Sequence, residues 1–437
     1  MTICWNIRGV RIVDPASGRD ATGDLFVQNG RFIEPPLTLP EDTRVIHANG
    51  LVAVPGFIDL HVHLREPGNE AAETVESGSR AAARGGFTSI VVMPNTTPAL
   101  DSPGEVQALR ARADACGLVR VLPAPCITRA RTGGALTDFE RLVDCGAVAF
   151  TDDGSTVSSD SVMASALQLA RTLNRPILDH ALDPRLAGHG AMHAGAHSEA
   201  LGLPGIPSEA ETRIVERDLR LAAETGGAIH LQHLSAAGSV TLLREALHQG
   251  LRASGELTPH HLALTAAEVT LDHADRFKMN PPVRDAADQA ALIEAVVDGT
   301  IECFATDHAP HTAAAKAKGF TGAPFGVVGL ETAVGVTYTL LVKRGLMSLA
   351  DWVRRWTVGP ARIIGKPAPT LAIGAPADFV LLDLSGEWVV RSADFASRSR
   401  NTPFEGWTLT GRAVWTFCNG KPTWQPSSQG GLCPQPK

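Results

Sequence analysis

The sequence lacks any CxxC pair. Its seven cysteines (Cys4, Cys116, Cys126, Cys145, Cys303, Cys418 and Cys433) are odd in number and scattered, which argues against a disulfide framework and a thiolate zinc site. There is no basic stripe either. The 39 basic residues are outnumbered by 46 acidic ones, so nucleic acid and anionic membrane surfaces are poor partners. The opening "MTICWNIRGVRIVDP" has no apolar leader segment, and no apolar run approaches membrane-spanning length. Together these absences predict a soluble cytoplasmic protein. Lysine is missing from a long span: none occurs before Lys278, and all earlier positive charge is arginine.

What is present is alternation. From residue 51 onward, short apolar runs such as "LVAVPGFIDL", "FTSIVVMP", "VRVLPAP", "AVAFTDD", "RPILDHA", "AIHLQHL", "RASGELTP" and "IECFATDHAP" are separated by helix-like segments. The helical segments tend to open on Ser, Asp or Thr and close on Gly, as helix capping favours. Eight such runs predict an α/β fold, a (β/α)8 TIM barrel over residues 55–364. The two ends read instead as short alternating strands, as in "DLFVQNGRF" and "GRAVWTFCNGKP". Residues 1–54 and 365–426 are therefore expected to meet in one small flanking β-sandwich. The Pro/Gly/Ser/Gln-rich stretch 427–437 is expected to be a disordered tail.

Active sites of such barrels lie at the C-terminal ends of the strands. The first run ends in "HVHLREPG", with His61 and His63 two apart and so on one face of a strand. The fourth run ends in Asp152 and Asp153, the fifth in His180, the sixth in His233, and the eighth in "FATDHAPH" with Asp307, His308 and His311. A lone histidine at a strand end is usually structural. Four histidines and two aspartates converging on one end instead suit nitrogen- and oxygen-loving metal ions, zinc foremost. His61 and His63 would hold one ion and His180 and His233 a second, with a carboxylate bridging. Such a pair activates water near neutral pH, and Asp307 would serve as general acid/base.

The ordered set HxHxR, PNT, FTDDG, the fifth- and sixth-run histidines, MNPPVR and TDHAPH resembles the amidohydrolase superfamily, and within it the long dihydroorotases. The resemblance spans about residues 3 to 424. It implies reversible cyclisation of N-carbamoyl-L-aspartate to dihydroorotate in pyrimidine synthesis. It also implies zinc, one or two ions per chain with two favoured, held by His61, His63, Asp153, His180, His233 and Asp307. Many relatives bridge their metals with a carboxylated lysine, which this chain has none of in that region. Asp153 is expected there, with Asp152 as the fallback, and this weighs against hydantoinase or allantoinase activity. Arg65 would clamp the substrate carboxylate through its planar fork. Asn95 and His311 would add hydrogen bonds, Asn280 would contact the ring amide, and His63, Phe325 and Gly326 complete the implied substrate site.

Residues 312–326, "TAAAKAKGFTGAPFG", are expected to form a lid. His189, His193 and His197 are expected to be structural or solvated, His230 to pack, His260 and His261 to support the site, and His308 to bond a ligand from behind. The remaining expectations are a homodimer and a complex with aspartate transcarbamoylase. An inactive scaffold for that partner is disfavoured because all six ligand positions are filled.

Overall fold

The computed structural model describes residues 4–426, so the tail expected over 427–437 lies outside the described residues. Two runs of parallel strands form its centre. In one, Phe57–Val62 pairs with Phe87–Val92, which pairs with Arg120–Pro123. In the other, Ile177–Asp179, Ile229–Leu231, Ala253–Leu257 and Cys303–Phe304 pair in chain order.

The fourth expected run, "AVAFTDD", is a single bridge, Phe150 to Ile177, rather than a full strand. Its main chain still reaches both neighbours: Val148 N–H donates to Pro123 O (3.0 Å), and Leu178 N–H donates to Phe150 O (2.9 Å). The neighbouring segments present Pro123, Pro125 and Pro176 to it, and proline nitrogens cannot donate, so a continuous ladder cannot form. The eighth run is likewise short. Beyond Phe304 it is held by Ala305 N–H to Leu257 O (3.2 Å) and by His63 N–H to His308 O (2.9 Å), which links the last run to the first.

The side chains Ile58, Leu60, Val91, Val148, Leu178, Cys303 and Ala305, drawn from both runs, form one buried cluster. On the opposite face of these strands, Phe57, Phe87 and Phe304 pack against Trp352 and Trp356 with ring centroids 5.1–6.1 Å apart. Both indole N–H groups point at the Thr337 hydroxyl, the partner a buried indole requires.

Among the helix-like segments, Pro103–Cys116, Asp160–Thr172, Glu209–Thr225 and Ala237–His248 are helices. Their caps follow the expected chemistry in part. Ser159 accepts from Val162 N–H, and Gly117 and Gly226 end their helices in left-handed geometry, which costs glycine little.

Strands from the two end regions, within residues 4–55 and 379–424, share a sheet. Val52–Pro55 pairs antiparallel with Phe379–Val389, so the N-terminal strands and Thr408–Cys418 belong to one eight-stranded sheet. Phe32 and Phe379, from strands far apart in that pairing order, lie with rings 5.5 Å apart in a shared core. The connection between Phe379–Val389 and Thr408–Cys418 leaves the sheet and buries Phe395, Ser397, Ser399, Asn401 and Phe404 elsewhere.

Candidate metal centre and active site

The expected histidine ligands and Asp307 sit at or just beyond the C-terminal ends of central strands, and Asp153 follows the bridge at Phe150. A cavity of ≈ 190 Å³ there is lined by His63, Arg65, Asn95, Asp153, His180, His233, Asn280, Asp307, His311, Phe325 and Gly326. His61 lies fully buried close by, with Asp153 Oδ1 3.2 Å from its Nε2. All the residues singled out as ligands or substrate contacts are thus brought together.

Hydrogen bonds set the imidazole tautomers. His61 Nδ1–H donates to Glu256 Oε1 (2.7 Å), leaving Nε2 bare. His63 Nδ1–H donates to Asn95 Oδ1 (2.8 Å), leaving its Nε2 3.2 Å from Asp307 Oδ1 and 3.5 Å from Asp153 Oδ2. Asn280 Nδ2 donates to His180 Nε2 (3.1 Å), and His180 Nδ1–H donates to His233 Nε2 (2.8 Å).

The adjacent aspartates separate cleanly. Asp153 faces His61, His63 and His180, whereas Asp152 turns away to accept from the Thr128 hydroxyl and main-chain N–H. Asn95 Nδ2 lies 3.4 Å from Asp153 Oδ2. Burial alone would raise the Asp153 carboxyl, but the facing His61 and His63 pull it well below the carboxylate range. Burial pushes Asp152 up.

Burial holds His63, His180 and His233 below the ordinary histidine value, with Arg65 adding to the effect on His63 and His180 adding to that on His233. They are therefore neutral, the form that ligates metal. Burial also opposes charge on His61, yet Asp153, Glu256 and Asp307 together raise it well above its usual value.

Three of these residues are bent into left-handed backbone: Arg65 (φ 59°), His233 (φ 31°) and Asp307 (φ 44°). Such geometry costs non-glycine residues on the order of 1–3 kcal/mol each and persists only when neighbours enforce it. At Asp307 the enforcement is visible. Thr306 donates its hydroxyl (2.6 Å) and main-chain N–H (3.0 Å) to Asp59, and its hydroxyl accepts from His308 N–H (3.1 Å). Arg65 Nε donates to Pro310 O (3.1 Å), and His311 Nε2–H donates to Phe325 O (2.7 Å). Burial, with Arg65 next, lowers His311 to about 3.

Sequence reasoning missed Glu256. It is fully buried and accepts from His61 Nδ1–H, from His233 N–H (3.0 Å) and from His230 Nε2–H (3.0 Å). Facing histidines hold it near 2 against burial. The signal available was a buried carboxylate inside the strand "ASGEL", which is costly unless paired. Consequently His230, expected only to pack, also joins this network. His308 bonds His63 through its carbonyl, while its ring turns to Glu73 Oε2 (3.2 Å).

His261 is tied to Thr258 and Pro281 O, next to Asn280, and His260 is buried beside it. His193 meets Arg284 and Asp285, and His197 bonds Val269 O. Within residues 312–326, Lys316 and Phe320 are buried, and Lys316 Nζ donates to Lys278 O (3.1 Å) and Pro324 O (3.0 Å), while Ala313, Ala314 and 317–319 are exposed.

The donor set fits a metal. Ligand atoms of His61, His63 and Asp307 lie within 4.8 Å of one another, as do those of His61, Asp153 and His233. His61 Nε2 is buried with no hydrogen-bond partner. With the tautomers set as above, the bare Nε2 atoms of His61 and His63 face carboxylate oxygens, which needs a proton or a cation between them. A third grouping, His230, Glu256 and Cys303, is spent otherwise: Glu256 is bonded by histidines, and burial keeps the Cys303 thiol protonated.

Strands ending in a histidine–aspartate centre define the amidohydrolase class, and the solved relatives agree in fold. An L-hydantoinase (dihydropyrimidinase) from Arthrobacter aurescens superposes with TM-score 0.85 at 24% identity, covering 99% of this chain and 97% of that one. A D-hydantoinase from Thermus sp. superposes with TM-score 0.82 at 23% identity, covering 99% and 97%. Sequence narrows the class. Residues 50–239 match the dihydro-orotase-like family model. The chain is 46% identical over 95% of its length to a dihydroorotase of Anaeromyxobacter dehalogenans, covering 96% of it. It is 47% identical over 90% to a dihydroorotase of Bacillus caldolyticus, covering 91%. The chain belongs to the dihydroorotase family.

Proposed function

We propose that this protein is a metal-dependent dihydroorotase, interconverting N-carbamoyl-L-aspartate and dihydroorotate, built as a closed (β/α)8 barrel (residues 55–364) flanked by a β-sandwich of both ends (1–54 and 365–426). One observation carries the reading: in a single cavity, histidines and aspartates of metal-binding type face Arg65, Asn95 and His311. A cyclic amide bearing one carboxylate needs both halves. Zinc, two ions favoured, would be held by His61, His63, Asp153, His180, His233 and Asp307. When bound, the metal supplies water activation and polarisation of the amide carbonyl.

The residues account for the rest. Arg65 is held by Pro310 O with its fork toward the cavity, and pairs with the substrate carboxylate. Asn95 adds a hydrogen bond to that carboxylate, and His311 adds one by turning its single ring N–H from Phe325 O to the substrate. Asn280, whose Oδ1 is buried without a partner, accepts from the ring N–H. In ring opening, water adds to the amide carbonyl carbon and gives its proton to Asp307. The carbon–nitrogen bond then breaks, and Asp307 delivers that proton to the leaving nitrogen. Closure runs the same steps backwards, releasing water. Asp307 is already positioned by the Thr306–Asp59 bonds, so little reorganisation is needed.

The test is dihydroorotate opening by purified, zinc-loaded protein, alone and mixed with aspartate transcarbamoylase. Turnover in either case supports the reading, and turnover only in the mixture adds a working complex to it. Silence on dihydroorotate while hydantoin or allantoin is opened would overturn it.

A further inference from the structure

The connection between Phe379–Val389 and Thr408–Cys418 does more than join two strands. Its residues alternate: Ser397, Ser399 and Asn401 are buried, while Arg398 and Arg400 face solvent. The buried side chains bond two regions, Ala72–Glu73 and the cavity-lining segments at Ala309–His311 and Gly326. Ser397 and the Arg398 N–H donate to Glu73, which also meets His308, and Ser399 donates to Ala72 O (2.7 Å).

Asn401 makes the most specific contact. Its Oδ1 accepts from His311 N–H (3.2 Å), and its Nδ2 donates to Ala309 O (3.3 Å) and Gly326 O (3.1 Å). Its own carbonyl accepts from Val328 N–H (2.9 Å). One amide therefore locks the segment carrying Pro310 and His311 against the segment carrying Gly326.

We propose that Asn401 is a positioning residue that sets the substrate-carboxylate wall, acting through His311, Gly326 and the Pro310 carbonyl that holds Arg65. The inference rests on the dihydroorotase reading and extends it by assigning part of substrate selection to the C-terminal region. Only an amide satisfies the geometry. Aspartate would set a carboxylate against two carbonyls, and alanine would strand two acceptors and one donor in a buried place. Neither change touches a metal-type donor, so the effect falls on substrate binding.

The experiment compares wild type, Asn401→Ala and Asn401→Asp as zinc-loaded full-length protein. It reads KM and kcat for dihydroorotate, zinc content, and amide hydrogen exchange over 309–311 and 326–328. Expected for both variants is a KM raised about ten-fold or more, from the loss of several buried hydrogen bonds, with kcat changed far less. Zinc content should be unchanged and exchange faster in those two segments. Unchanged KM in both variants, or KM and kcat changing only in step with lost zinc, overturns the proposal while the activity stands. A wild type silent on dihydroorotate removes the functional reading and the proposal with it, and hydrogen exchange then reports separately whether Asn401 holds the two segments.

Discussion

Replacing Glu256 by glutamine isolates the charge behind His61. The wild-type carboxylate is fully buried and accepts three hydrogen bonds, from His61 Nδ1–H (2.7 Å), His233 N–H (3.0 Å) and His230 Nε2–H (3.0 Å). Glutamine keeps the shape and one acceptor oxygen. Set toward His61 and His233, that oxygen preserves both bonds. The new amide N–H then faces His230, which can exchange its proton to the nitrogen beside the Ser254 hydroxyl (2.8 Å). The fold is therefore retained, and what disappears is the negative charge that strengthens the His61 donor. Such partners behind a ligating histidine typically contribute 10–100-fold in metal affinity, or about 1.4–2.7 kcal/mol. The assay is competition for zinc between apoprotein and a chromophoric chelator, with thermal unfolding of the apoprotein run in parallel. Zinc affinity within about three-fold of wild type would refute the reasoning, because a carboxylate that orients a ligating imidazole through its other ring nitrogen cannot be that dispensable. Equal losses of affinity and of apoprotein stability would refute it too, showing a general packing role.

Three further outcomes follow from the same geometry. Asp307→Asn keeps the size of the group but removes its proton-transfer capacity, so kcat should fall on the order of 10²–10⁴-fold, measured as initial rates at saturating dihydroorotate. Arg65→Lys keeps the charge and loses the planar fork, so KM should rise by about ten-fold or more while kcat changes less, as loss of a charge-assisted bond predicts. His261 is buried neutral, lowered to about 4 from 6.5 chiefly by burial. Between those values the unfolded chain binds the extra proton, so the stability His261 contributes is complete above pH 6.5 and is lost as pH falls toward 4. The loss amounts to roughly 3 kcal/mol. Urea unfolding of His261→Gln should accordingly show a flatter pH dependence than wild type across that window, and parallel curves would contradict the assignment.

Much of this molecule is legible before it folds. The apolar runs ending in histidine or aspartate, the capped helices between them and the absence of lysine before Lys278 are local facts. They depend on residue type and on periods of two or 3.6, which any stretch of chain carries by itself. That is enough to anticipate the central parallel strands, the helices between them and the histidines and aspartates at the strand ends, whereas Arg65, Asn95, Asn280, Phe325 and Gly326 were expected at the cavity only through the family resemblance.

Other facts had to wait for the chain to close on itself. Asp152 and Asp153 are chemically identical neighbours, and only the partners across space, Thr128 for one and His61 for the other, assign them different tasks. Glu256 looked like an ordinary strand residue until its oxygens met His61, His230 and His233. The fourth run looked like a strand until the prolines of its neighbours interrupted the ladder. Asn401 sits in a stretch that reads as part of the end sheet, yet its amide bonds residues 75 to 92 positions away. The sequence determined which chemical groups are available and on which kind of element each rides. The tertiary structure decided which way each group points and what it meets, because a hydrogen bond is specified by distance and direction between two groups, and residues far apart in the chain acquire neither until they are packed together.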